Sequence, residues 1–275
     1  MSTFPPLLPG PLLMIGCGNM AGAILSRWLA AGADPSQVTV VRPSGSPAGE
    51  GVRVLTALPE DEVPAIVLLG VKPQKLDEVA PALARAVERE TLLVSILAGV
   101  ELSTLRARFP ACAAIFRAMP NTPVALGMGV TNLIADGADA PARGAIERLM
   151  SPLGHVEWFQ EEDAFALAGH LTAAAPAFLY RFIDALASAA AELGLPQDQA
   201  LRLARAMAEG ASALAAASPE TPAQLARRVA SPGGTTEAGL KVLDDGEALK
   251  ALMLRTLDAS RRRGIEMAES ARREP

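Results

Sequence analysis

The stretch Leu12-Leu-Met-Ile-Gly-Cys-Gly-Asn-Met-Ala21 constrains the fold more than any other part of the chain. Leu12 to Ile15 are four apolar residues in a row and read as a buried strand. Gly16-Cys17-Gly18 ends it, and an amphipathic helix pattern begins, with Ala21, Ile24, Leu25, Trp28 and Leu29 on one face. Strand, tight glycine turn and helix is the layout that offers backbone N–H groups and a helix N-terminus to a dinucleotide pyrophosphate. Gly16 makes the turn, Gly18 lets the backbone approach the phosphates, and Ala21 keeps helix and strand close. The glycine spacing alone is a weak signal. Its place after a strand and before a helix is what gives it weight.

The same alternation continues to about residue 160. Apolar runs at 12–15, 37–41, 53–55, 65–71, 91–96, 113–116 and 130–135 read as strands, with helical patterns at 21–31, 74–88 and 102–109. Short strands rich in Val and Ile, separated by helices, predict parallel βαβ units in a sheet covered on both faces. Beyond residue 161 no further strand is expected. Alanine-rich helical patterns follow at 162–193, 197–217, 222–229, 236–244 and 246–271. The shift predicts an α/β domain over 1–160 and an all-α domain over 161–275. Broad faces made largely of Ala permit close helix packing and leave apolar surface for a partner subunit, with a self-contained bundle as the alternative.

Composition removes other classes. A net charge of −5 supplies no basic face for nucleic acid or a membrane surface. No apolar run reaches the ~18 residues of a membrane span. Cys17 and Cys112 are the only cysteines and have no Cys or His at metal spacing, so neither a disulfide framework nor a metal site is expected. A reducing, cytoplasmic setting fits. Residues 2–11 are proline-rich and lack the basic segment of a secretory leader.

In a sheet that binds NAD, a carboxylate about 20 residues past the glycines takes the ribose 2′-hydroxyl. Here the second strand runs into Arg42-Pro43-Ser44-Gly45-Ser46. A guanidinium with hydroxyl donors from Ser44 and Ser46 attracts a 2′-phosphate that a carboxylate would repel. NADP(H) is therefore expected ahead of NAD(H). Ligands of such sheets bind beyond the carboxyl ends of the strands, which brings Val71-Lys72-Pro73 and Ala98-Gly99 to the dinucleotide. In the helical region, Ser231-Pro232-Gly233-Gly234-Thr235-Thr236-Glu237 reads as a glycine turn feeding a helix, with hydroxyls at the N-cap. Its amides and hydroxyls suit one carboxylate. His155 and His170, the only histidines, read as structural, and no nucleophilic triad is visible. That scarcity fits hydride transfer, in which a cofactor carries the chemistry, above all to a protonated imine.

Four motifs, in order and over about residues 12–270, resemble the pyrroline-5-carboxylate reductase family. They are Gly16-Cys-Gly-Asn-Met-Ala21, Val71-Lys-Pro-Gln74, Ala118-Met-Pro-Asn-Thr-Pro123, and Ser231-Pro-Gly-Gly-Thr-Thr236 followed by Ala238-Gly239-Leu240. The resemblance implies NAD(P)H-dependent reduction of a cyclic imine carboxylate, 1-pyrroline-5-carboxylate, to L-proline. It also implies a Rossmann-type domain followed by a helical dimerisation and substrate-binding domain, with dimers that in the family often join into larger rings. By position, Gly16, Cys17, Gly18, Asn19, Met20 and Ala21 would hold the pyrophosphate. Val71, Lys72, Pro73, Ala98 and Gly99 would line the nicotinamide side. Ser231, Gly233 and Gly234 would shape a carboxylate pocket, the amides of Gly234, Thr235 and Thr236 would bind the carboxylate, and the Thr236 hydroxyl would face the imine nitrogen. Glu162 matches a site-facing acid.

The chain departs from the family in three places. Ala173-Ala174-Ala175 stands where a Gly-Ser-Gly run usually precedes Pro176, which adds methyl groups and removes a hydroxyl. Leu58 replaces an Asn expected near the adenosine phosphate, and Arg228 replaces an Asn or Asp. These substitutions keep two other readings open: a related NADPH-dependent reductase of another cyclic imine or keto acid, and a non-catalytic NADP-binding paralogue.

Overall fold

The computed structural model describes residues 6–59 and 62–273. The proline-rich start at 2–11 lies partly outside them. Strands β1 (Leu12–Ile15), β2 (Val38–Val41), β3 (Arg53–Leu55), β4 (Ile66–Leu69), β5 (Leu92–Ser95), β6 (Ala114–Pro120), β7 (Gly129–Asp136) and β8 (Gly154–Trp158) form one sheet, ordered β3-β2-β1-β4-β5-β6-β7-β8. The order reverses between β1 and β4, which is where doubly wound sheets bind ligands. Period-two alternation divides the apolar runs between the two faces. Leu12 and Met14 join Ile24, Leu25 and Trp28 of helix α1 (Asn19–Ala30). Leu13 and Ile15 join Leu76 and Leu83 of α2 (Leu76–Ala86) and Leu105 of α3 (Leu102–Arg108). Trp28 is fully buried, and its indole N–H donates to the Leu149 carbonyl at 2.6 Å, which satisfies its one polar atom.

The sheet is not wholly parallel, contrary to the expectation from the strand pattern. β6 and β7 pair antiparallel, and β8 runs parallel to β7. Only residues 121–128 connect β6 to β7, and they form a 3-10 turn, Thr122–Leu126, closed by Gly127 at φ +70°. So short a link cannot make the crossover that a parallel pair requires. Strand β8 and helix α4 (Ala140–Met150) were also not expected. β8 has no fully buried residue, and Pro141 and Gly144 obscure the α4 pattern, whose start is fixed by Asp139 accepting from the Ala142 amide at 2.8 Å.

The helical pattern at 162–193 is interrupted. α5 (Glu162–Gly169) passes through a π-helical turn, His170–Ala174, before α6 (Ala175–Glu192). Pro176 has no N–H to give the Thr172 carbonyl, which instead accepts from Asn121 Nδ2 at 2.9 Å. The wider turn absorbs the mismatch. The Ala173-Ala174-Ala175 run lies across this turn and the first residue of α6.

Four more helices follow: α7 (Gln197–Ala217), α8 (Pro222–Val229), α9 (Thr235–Asp244) and α10 (Ala248–Arg273). By compactness, one unit comprises residues 1–174 with 261–275, and the other 175–260. The compositional boundary at 160/161 thus differs from the compact one, because α5 packs against β7. In the second unit Ala187, Ala200 and Ala204 form a small core with Ile183 between α6 and α7. Many large apolar side chains of the unit are exposed, among them Leu179, Phe182 and Leu186 of α6 and Leu203, Met207 and Leu214 of α7.

Candidate functional site

The expected cofactor residues of the first unit gather at the carboxyl ends of β1, β2, β4 and β5. The Gly16 amide donates to Val41 O, and the Gly70 amide to Ile15 O, both at 2.8 Å. These bonds pin the turn between its neighbouring strands. Gly16 sits at φ +84°, and a Cβ there would lie 2.9 Å from Gly70 O. A Cβ on Gly70 would in turn lie 2.9 Å from Ala21 Cβ, so Ala21 is the close-packing residue. Gly18 is exposed and precedes α1, and a Cβ on it would meet no atom within 4 Å. The turn is therefore tight behind and open in front, with α1 free of acidic residues in its first turn. A helix start of this kind suits an anion on electrostatic grounds.

Arg42 Nε donates to Ser44 Oγ at 3.0 Å, and the Ser46 amide and hydroxyl reach the same oxygen at 3.3 and 3.1 Å. One guanidinium and two hydroxyls are thus clustered on an exposed loop, and the Arg42 charge reaches Cys17. Burial pushes the Cys17 thiol up, partly countered by that charge. Val71 Cγ1 lies 2.9 Å from where a Gly16 Cβ would be. Pro73 opens the 3-10 turn Pro73–Lys75, while the Lys72 carbonyl accepts from the Lys75 amide at 2.8 Å and Lys72 itself is exposed. Ala98 is exposed, and Gly99 holds φ +75° with open space beside it. Leu58 packs against the core on the α2 side.

At the start of α3, which follows Ala98-Gly99, Glu162 meets an arginine that sequence reading passed over. Arg117, buried in β6, pairs with Glu162 and stacks over Phe165 with 4.7 Å to the ring centroid. Glu162 also accepts from the Leu102 amide at 2.9 Å. Both oxygens of Glu162 are therefore engaged inside this unit. Burial pulls the Arg117 pKa down, and the Glu162 and Glu101 charges oppose that. The signal was legible: one arginine interrupts the apolar run Ala114-Ile-Phe-Arg-Ala-Met and must find a partner. Asn132, buried, was passed over as well, and Asn121, also buried, entered only as a motif residue without a role. Asn132 Nδ2 donates to Thr172 Oγ1 at 2.9 Å, and the Val130 amide donates to Asn121 Oδ1 at 2.8 Å.

In the second unit, Gly233 takes φ +73° and the Gly234 amide closes onto Ser231 O at 2.9 Å. A Cβ on Gly234 would fall 2.5 Å from Ser231 Oγ. The N-cap of α9 is Gly234, not a threonine as expected, because Gly234 is the extended residue from which the helix starts. Thr235 and Thr236 occupy the first helical positions and are exposed. Their amides belong to the first turn, which has no intrahelical acceptor. Glu237 bends back to accept from the Gly233 amide at 2.9 Å and lies 3.4 Å from Lys241 Nζ. That removes one donor from the turn and partly neutralises the acid. Arg228 pairs with Glu220 at 2.7 Å.

His155 contacts Glu157 at 3.0 Å on exposed β8, and His170 opens the π turn, its pKa pushed down by burial and by Arg261. Cys112 is buried, its thiol pushed up to about 11. Among the described residues, no group of three His, Cys, Asp or Glu could hold a metal, and no helix is long and apolar enough to cross a membrane.

Comparison with known proteins bears on this geometry. Residues 12–99 match the family model described as NADP oxidoreductase coenzyme F420-dependent, and residues 162–267 match that for pyrroline-5-carboxylate reductase dimerisation. Pyrroline-5-carboxylate reductase of Pseudomonas aeruginosa is 34% identical over 265 residues, covering 94% of this chain and 97% of that protein. The solved structure of a pyrroline-5-carboxylate reductase from Coxiella burnetii superposes with a TM-score of 0.86 at 31% identity, covering 94% of this chain and 98% of that one. In fold, the chain is also similar to the NADP-bound pyrroline carboxylate reductase of Plasmodium falciparum, with a TM-score of 0.79 at 22% identity and the same coverage. With near-complete coverage at this identity, and both family models in their expected order, the chain belongs to the pyrroline-5-carboxylate reductase family.

Proposed function

We propose that the protein reduces 1-pyrroline-5-carboxylate to L-proline with NADPH, each half of the chemistry being served by one compact unit. The observation that carries this reading is the Ser231–Thr236 turn, whose Gly233 at φ +73° and free first-turn amides of α9 suit a single carboxylate, in a chain whose other glycine turn leaves Gly18 open to a pyrophosphate. NADPH fits the first unit on geometry: Gly18 leaves room for phosphate, and Gly16 to Ala21 present the α1 N-terminus to it. Arg42, with Ser44 and Ser46 gathered beside it, would hold the 2′-phosphate and so favour NADPH over NADH. Val71, Lys72, Pro73, Ala98 and Gly99 would border the nicotinamide, which when bound supplies the hydride. Ser231, Gly233 and Gly234 shape the substrate turn, and the amides at Gly234, Thr235 and Thr236 would take the carboxylate. The imine carbon gains the hydride, its C=N π pair passes to nitrogen, and the nitrogen proton is kept or supplied through the Thr236 hydroxyl. A protonated imine is already electrophilic and needs little further acid catalysis.

The exposed apolar stripes of α6 and α7 support a homodimer as the working unit. Purified protein mixed with NADPH and 1-pyrroline-5-carboxylate should lose reduced-nicotinamide absorbance as proline forms. Absence of turnover from protein that still binds NADPH would overturn the reading. The alanine run at 173–175 favours one competitor, a reductase of a different cyclic imine. A higher kcat/KM for a larger or carboxylate-free cyclic imine than for 1-pyrroline-5-carboxylate would identify it.

A further inference from the structure

The turn between β5 and α3 has an unusual support. Leu97 and Val100 are buried anchors, and between them Ala98 and Gly99 project with open space beside Gly99. On the strand side, Ser95 Oγ accepts from the Leu97 amide at 3.3 Å. On the helix side, Glu101 at the N-cap of α3 supplies no side-chain cap of its own. The Leu102 amide, which has no intrahelical acceptor, donates instead to Glu162, sixty residues away at the start of α5. The other Glu162 oxygen holds Arg117 of β6, whose guanidinium is fixed from one face by Phe165.

We infer that Arg117 and Glu162 are positioning residues for hydride transfer, joining β6 and the start of α5 to the first amide of α3 and so fixing the height of Ala98-Gly99 at the sheet edge. The inference rests on the proposed reading in one respect, that Ala98-Gly99 borders the nicotinamide. Neither side chain needs to touch the reactants. A buried arginine held by the Glu162 carboxylate and the Phe165 ring, with the Glu101 charge also acting on it, has little freedom, and the amide capped by Glu162 is restrained with it. A nicotinamide resting on the turn inherits that precision. On the proposed reading the phosphates are held at Gly16–Ala21 and Arg42, away from this pair, so dinucleotide affinity should change little when the pair is broken.

Glu162→Gln keeps one acceptor oxygen but cannot serve both the Leu102 amide and Arg117, and Glu162→Asp keeps the charge at shorter reach. Two measurements on the full-length protein test the inference: steady-state kinetics beside NADPH Kd, and amide hydrogen exchange over residues 96–103. In Glu162→Gln, kcat is expected to fall by about tenfold or more while NADPH Kd stays within about threefold. Exchange at Leu102 and the turn before it should accelerate, and Glu162→Asp should recover part of both losses. A kcat within about twofold of the parent, or unchanged exchange at Leu102, overturns the inference. If Glu162→Gln does not fold, Arg117→Lys is read by the same criteria. Should the parent protein itself fail to turn over, the proposed function falls, and the exchange measurement alone still decides whether the pair holds the turn.

Discussion

At the residue scale, the two expected specificity determinants differ in how much of their surroundings they bring with them. Arg42 is already clustered with Ser44 and Ser46, so a 2′-phosphate would meet a prearranged set of donors. A charge-assisted contact of this kind is worth about 1.5–3 kcal/mol. Arg42→Asp, which also adds repulsion, should lower the NADPH-to-NADH ratio of kcat/KM by on the order of ten- to a hundredfold. An unaltered ratio in parallel assays with the two cofactors would remove Arg42 from the phosphate site. Thr236 stands exposed in the first turn of α9, where its hydroxyl is accessible to a ligand held by the neighbouring amides. Thr236→Ala should reduce kcat by about a hundredfold, the lower end for a positioned proton donor, and leave NADPH Kd nearly unchanged. A fall in kcat matched by a rise in NADPH Kd would mean that the change had disturbed the protein at large.

At the element scale, the α5–π–α6 passage shows how one missing N–H propagates. Pro176 leaves the Thr172 carbonyl without its helical donor, and Asn121, from the Met119-Pro120-Asn121 motif, supplies the replacement at 2.9 Å. Asn121 also accepts from the Val130 amide, which fixes the start of β7. Asn121→Ala leaves two backbone groups short of partners and should cost about 1–3 kcal/mol for each that stays buried. Urea unfolding should show a lower midpoint, and a midpoint within error of the parent would mean that water replaces the amide fully. This network was not legible in the sequence. Asn121 and Thr172 are fifty-one residues apart, and nothing in their own windows shows that a proline four residues past Thr172 will need compensation. What could be read was whatever depends on local pattern: β1 and its glycine turn, the α7 and α8 boundaries, and the glycine turn before α9. The antiparallel β6–β7 pair and edge strand β8 were missed because strand direction depends on the length of the connection, and a half-exposed edge has no apolar run. The strand ends and glycines on which a cofactor is expected are marked locally, whereas Arg117 and Glu162 meet only after folding.

At the scale of the whole molecule, the balance of surface is what remains to be explained. The first unit buries most of its large apolar side chains on both faces of a sheet, with Leu126, Met128, Leu167 and Leu171 among the exceptions. The second packs α6 on α7 through small alanines, and its larger side chains are left outside. On α6, Leu179, Phe182 and Leu186 recur at spacings of three and four and so share one face; on α7, Leu203, Met207 and Leu214 do the same at four and seven. Apolar side chains left exposed along one face of a helix fit a subunit interface, and residues 162–267 match a dimerisation family model. A carboxylate placed on such a stripe would have to be buried unpaired on association, at a cost of several kcal/mol per site, doubled by two-fold symmetry. The double variant Phe182→Glu with Leu186→Glu should therefore shift the mass seen by light scattering from a multiple of 28.5 kDa towards 28.5 kDa itself. The glycine turn of the first unit should still bind NADPH in the dissociated chain. An assembly of unchanged mass would place the subunit contact on a different face of the helical unit.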